Sequence, residues 1–315
     1  MIDGAPANAV NDMTPRENHD LDIEVRVSRW PSSAEALELL PITIERPSTA
    51  DFPTFRFDRP NGEPPFTLRQ TQRAVLNVAQ GLQARPFDFN YTAQFVPQSA
   101  EQPVAVVGMR HLRIESFDIG KAPLTGFHEI DRRLRCIRNE LMRQPLITQA
   151  DLGHALSVLR VLSALAGRAL QDNLFPGILS EKKFQEAARD ELRRDPDVAS
   201  GFEEHTHVGG GITDLSFHQI RIELKSEPGT KLTLRDCEKY VDQAASYVAS
   251  TGKRIGILCV LDCSPKAAPP FPADEGIGVL RIKTPENELC VGTVLIQGNL
   301  ARPSDLSRRR GRPSR

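Results

Sequence analysis

Hydrophobic residues change their spacing several times along the 315-residue chain, and these changes divide it into segments. The first thirty residues show no period, and Pro41, Pro47, Pro53, Pro60, Pro64 and Pro65 interrupt any run that follows. This predicts a disordered leader over 1–30 and then short strands. Leu68, Ala74, Val75, Val78 and Leu82 fall near helical spacing, which predicts a helix from Phe66 to Leu82 with Gly81 close to its end. Phe87 to Val96 and Val104 to Phe117 are rich in β-formers and predict strands. From Phe127 to Asn173 the apolar positions recur at three and four, as in Ile130, Leu134, Ile137 and Leu141, which predicts a helical connector.

Phe175-Pro176-Gly177 breaks that pattern, and Ser180 stands where the N-cap of a new helix running to about Arg194 belongs. Beyond Pro196 the spacing predicts strands at 199–207, 212–217 and 220–225, a helix over 234–250 and a strand at 254–261. A hairpin over 277–283 and 288–297 follows. The expected fold class is α/β, with a mixed sheet flanked by helices over 178–300, preceded by an α+β region over 31–175. Residues 301–315 form a basic tail.

Composition narrows the classes. The chain is 39% hydrophobic and 26% charged, which is globular. No apolar run reaches the roughly 20 residues of a membrane span, and the first twenty residues lack a signal-peptide pattern, so a cytoplasmic protein without membrane partners is expected. The five cysteines are scattered and read as reduced thiols rather than as a disulfide or zinc framework. Residues 302–315 carry six arginines against Asp305, a local charge of +5 on a chain whose total is −1. Such an arm attracts polyanions, nucleic acid first.

Alternation along 220–225 places Ile220, Ile222 and Leu224 on one face and Arg221, Glu223 and Lys225 on the other. If the preceding strand folds back through a loop centred on His218 and Gln219, paired residue numbers sum to 437, so Asp214 lies across from Glu223. Two carboxylates that close, flanked by an ammonium, suit a hard divalent cation such as Mg²⁺ or Mn²⁺; a cross-strand salt bridge on a half-solvated strand is the plainer alternative. In the next predicted helix Tyr240, Gln243 and Tyr247 share one side, and upstream Glu181 shares a stripe with Phe184, Ala188 and Leu192.

The order Glu181, Asp214, Glu223-Leu224-Lys225, Gln243-x-x-x-Tyr247 resembles the PD-(D/E)XK nuclease superfamily, in the branch with a Gln-x-x-x-Tyr element, over about residues 178–265. The resemblance implies a restriction-endonuclease-like mixed sheet in the C-terminal domain. It also implies metal held by Asp214, Glu223 and the carbonyl of Leu224, with Lys225 assisting the attacking water. Glu181 would supplement the site, and Gln243 and Tyr247 would contact substrate phosphate or orient the core. Glu186, Glu191, Glu203 and Glu204 are the other acidic residues able to complete it. Ile212-Thr213, not proline, precedes Asp214.

Arg308, Arg309, Arg310 and Arg312 are candidate nucleic-acid contacts, and Arg310-Gly311-Arg312-Pro313 resembles an AT-hook core suited to a narrow minor groove. The expected activity is metal-dependent hydrolysis of nucleic acid phosphodiesters, DNA before RNA, in restriction, repair or anti-phage defence. A homodimer or a defence-system partner fits such a role. The alternatives are a non-catalytic nucleic-acid-binding or scaffold protein on the same fold, and a ligand-regulated nuclease-fold effector.

Overall fold

The computed structural model describes residues 1–8, 10–43, 50–77, 82, 87–98, 104–115, 123–205, 214–244, 252–266, 268–283 and 288–301. The chain forms two compact units, Met1–Ala122 and Pro123–Arg315.

The described part of the first unit is built of strands: β1 (Val10–Asp12), β2 (Asn18–Val27), β3 (Ala34–Thr43), β4 (Ala50–Asp51), β5 (Phe55–Asp58), β6 (Phe66–Leu76), β7 (Phe87–Pro97) and β8 (Val104–Glu115). They make a five-stranded sheet, β1-β8-β7-β3-β5, and a three-stranded sheet, β2-β6-β4. Leu21 and Val27 from β2, Ala74 and Leu76 from β6, Leu37 and Leu39 from β3 and Phe89, Tyr91 and Phe95 from β7 belong to one shared core.

This corrects two expectations. The segment from Phe66 is a strand and not a helix: burial alternates along it, and Leu68, Ala74 and Leu76 share their face with Gln70 and Gln72. Those inward glutamines hide the two-residue period, and Gln72 Nε2 is satisfied by the Thr54 carbonyl at 3.0 Å. The expected leader is also structured. His19 is buried, its Nδ1 lying 2.7 Å from Asp3 Oδ2 and its Nε2 2.9 Å from the Thr14 carbonyl, and Met13 is fully enclosed. Core contacts and a buried imidazole bridge therefore order residues that show no local period.

The second unit contains α1 (His128–Leu141), α2 (Gln149–Asp172), α3 (Glu181–Arg194), α4 (Pro196–Ala199), β9 (Phe202–His205), β10 (Asp214–Phe217), β11 (Ile220–Glu227), β12 (Ile255–Asp262), β13 (Ile277–Lys283) and β14 (Glu288–Gln297). Its sheet runs β13-β14-β12-β11-β10-β9 and is mixed: β11, β12 and β14 are mutually parallel, the outer pairings antiparallel. The expected mixed α/β sheet is present.

A Cβ on Gly292 of β14 would stand 2.9 Å from Leu159 Cδ1, so glycine there lets α2 close on one face of the sheet. The other face carries Leu258, Val260, Val291 and Leu295, packed against Cys237, Val241 and Ala244 of the segment that opens as a 3₁₀ helix at Arg235–Tyr240. Parallel central strands are thus covered on both sides, which accounts for a fully buried β12. The helical connector assigned to the N-terminal region belongs with this unit, because α1 and α2 bury their apolar faces in it. Arg133 Nε also donates to the Ile277 carbonyl at 2.7 Å. No helix among the described residues is long and apolar enough to cross a membrane.

Candidate active site

Ser180 caps α3 by accepting from the Lys183 amide, and this sets Glu181 in the first turn while Phe184, Ala188 and Leu192 are buried. The hairpin of β10 and β11 turns at His218 and Gln219, both with positive φ (47° and 67°), as a two-residue turn of the primed kind demands. Ring packing holds the non-glycine His218 there. The His218 ring stacks on His154 of α2 with centroids 4.2 Å apart, and lies over Gly201, where a Cβ would meet its Nε2 at 2.3 Å.

The resulting register pairs Phe217 with Ile220, Ser216 with Arg221 and Leu215 with Ile222, as expected from the turn position. Carried one residue further it sets Asp214 opposite Glu223; the Asp214 side chain lies outside the described residues. Glu181, Glu223 and Lys225 come together. Lys225 Nζ is 2.7 Å from Glu223 Oε1 and 3.6 Å from Glu181 Oε1, and the side chains of Glu223 and Lys225 are only 12% and 15% exposed. Gln185 Nε2 approaches Glu181 Oε1 at 3.5 Å. Burial works against the charge on Lys225, but the Glu223 hydrogen bond and the fields of both carboxylates outweigh it and raise its pKa above the ordinary lysine value.

Of the other expected site residues, Leu224 is buried on the opposite face of the strand, and Gln243 is exposed just beyond the 3₁₀ helix. Tyr247 and the four tail arginines lie outside the described residues. Among the described residues, no three His, Cys, Asp or Glu side chains are grouped so as to hold a metal ion.

Two features of this face were not singled out from sequence. Glu227, next in the alternation after Lys225, accepts from Lys239 Nζ at 2.6 Å, from Tyr240 Oη at 2.8 Å and from the Gly229 amide at 2.9 Å. These bonds, Lys239 first, bring its pKa down to about 2. Tyr240 is therefore engaged with β11. Arg221, two residues before Glu223, has Nε and Nη1 buried without a hydrogen-bond acceptor among the described residues. Period-two counting from Lys225 in both directions finds both residues.

The arrangement offers two carboxylates converging on one protonated amine, with a guanidinium on the same strand face. No family model matches the chain, and no curated protein or solved structure is significantly similar to it.

Proposed function

We propose that the chain is a metal-dependent nuclease of the PD-(D/E)XK type, with a restriction-endonuclease-like C-terminal domain, hydrolysing phosphodiester bonds of nucleic acid and of DNA in preference. The observation that carries this reading is the placement of Lys225, with its ammonium 2.7 Å from Glu223 and 3.6 Å from Glu181; the hairpin register, extended one residue past Leu215 and Ile222, would set Asp214 opposite Glu223. The order of α3, three antiparallel strands, a helical segment and the parallel β12 supports the same reading.

The donor set fits a hard divalent ion, since Asp214, Glu223, the Leu224 carbonyl and Glu181 offer oxygen alone. These residues would hold Mg²⁺ or Mn²⁺, which supplies Lewis-acid polarisation of a phosphoryl oxygen when bound. Lys225, kept protonated at neutral pH by its two carboxylates, donates a hydrogen bond that orients the attacking water or meets charge building on the phosphate. Glu181 and Glu223 fix the direction of that ammonium. Arg221 presents donors matched to a phosphate oxygen, and the exposed Gln243 amide is free to contact the backbone of a bound strand. The tail arginines add phosphate contacts of no sequence preference.

The test is cleavage of supercoiled, linear and single-stranded DNA, and of RNA, with Mg²⁺ or Mn²⁺. Lys225→Ala and Asp214→Ala are each expected to lower the rate on the order of 100-fold or more, with the circular dichroism spectrum unchanged. Arg221→Ala is expected to act mainly on KM. A wild-type chain that binds DNA yet cuts none of these substrates with either ion would reject the enzyme and leave a binding or scaffold protein.

A further inference from the structure

The first unit holds a cavity of about 600 Å³, within the size range of ligand sites. Leu37 and Leu39 of β3, Ala93 and Phe95 of β7, and Ile23 and Val25 of β2 line it. Ile23, Val25 and Ala93 pack on the core yet keep part of their surface open, unlike the other inward residues of the same strands.

One wall of this cavity is a sheet edge that has no full partner strand among the described residues. β2 is the outer strand of β2-β6-β4 and has β6 on one side. On its other side, residues 1–3 begin an added antiparallel strand: the Asp22 amide donates to the Met1 carbonyl at 3.0 Å, the Asp3 amide donates to the Asp20 carbonyl at 2.9 Å, and Ile2 bridges Leu21. Asp20 and Asp22 therefore aim their peptide groups away from β6, and by the strand period so do Glu24 and Arg26. Beyond Asp22 this edge meets no backbone partner among the described residues. Ile2 also shows where an alternate side chain of an added strand goes, because it is buried in the core and borders the cavity.

We infer that the β2 edge and the cavity together form a strand-addition site for an extended polypeptide. Such a strand runs antiparallel to β2 along Ile23–Val27, with aliphatic residues at alternate positions entering the cavity opposite Ile23 and Val25. Main-chain bonds to Glu24 and Arg26 supply affinity, and the apolar floor selects the side chains. An open edge beside unfilled apolar volume is otherwise a pairing hazard that folded proteins cover or charge. The inference is independent of the nuclease reading.

The probe is the peptide acetyl-Lys-Val-Thr-Val-Thr-Val-Lys-amide, added to the full chain. Amide exchange by NMR reads the edge, and Trp30, the single tryptophan, reads the floor because its ring meets Phe95 edge-on at 5.2 Å. In the free chain the Glu24 and Arg26 amides exchange quickly, while those of Ile23 and Val25, which face β6, are protected. Peptide protects Glu24 and Arg26 and shifts Trp30 emission saturably.

In an antiparallel strand the threonine amides face β2, so N-methylation of the threonines abolishes binding and N-methylation of the valines leaves it. Glu24→Pro removes an amide that no β6 bond uses, and Ala93→Phe fills the floor; each weakens binding at least tenfold, with thermal melting checking the fold. No saturable response to millimolar peptide, equal binding of both methylated peptides, or saturable binding of dodecanoate in place of the peptide would each overturn the inference. The last result would give the cavity to a free amphipathic acid.

Discussion

Glu227 and Lys225 sit two residues apart on one strand face and are perturbed in opposite directions. The folded pKa of Glu227, about 2, lies below the ordinary 4.5, so its contribution to stability is present above that ordinary value and is lost as pH falls toward 2. Glu227→Gln is therefore expected to cost roughly 1–2 kcal/mol near neutral pH and almost nothing at pH about 2. Urea midpoints measured across that window check it. Lys225 has the reverse sign: its pKa is raised, so its contribution is complete below the ordinary lysine value of about 10.4 and fades only as pH climbs through the folded one. Near neutrality Lys225 is thus a hydrogen-bond donor to its carboxylate partners. Reading these residues as a group needed only the alternation along β11; the charge state of each depended on its partners in space.

At the level of elements, the β10–β11 hairpin decides whether Asp214 and Glu223 meet, and its turn is pinned by aromatic packing instead of glycine. Gly201→Ala would push a Cβ against the His218 ring, itself stacked on His154, at an expected cost of about 1–3 kcal/mol. Adding His218→Gly removes the ring and suits the positive φ at that position, so the double variant is expected to recover most of the loss in thermal melts. Ser180→Ala should cost about 1 kcal/mol through the lost cap of α3, with Glu181 displaced from Lys225 as the functional consequence. The hairpin, the α3 cap and the strand pair β13 and β14 were all legible, because turn residues, cap residues and period-two runs are local signals. β6 was misread because Gln70 and Gln72 face inward, and only the structure shows Gln72 satisfied by Thr54.

For the whole molecule, the nucleic-acid binding proposed above would be steered by charge separation along the chain. The tail of 302–315 carries +5 on a chain of −1, so its removal is expected to weaken DNA binding more at low salt than at high salt, and to flatten the dependence of affinity on salt. Titrations over a salt series measure this. The division into two units was placed too late from sequence, since the amphipathic faces of α1 and α2 do not state which sheet they will cover. The Gly292 contact with Leu159 and the Arg133 bond to Ile277 assign both helices to the second unit. By itself the sequence determined element type wherever period, cap and turn agreed, along with the shared face of Glu223 and Lys225 and the hairpin register, because each depends on neighbours within a few residues. Only the tertiary structure decided that Glu181 reaches Lys225, that His19 ties down residues without a period, and that the β2 edge opens on an apolar cavity. Those facts depend on packing between segments distant along the chain, and no local pattern encodes such a distance.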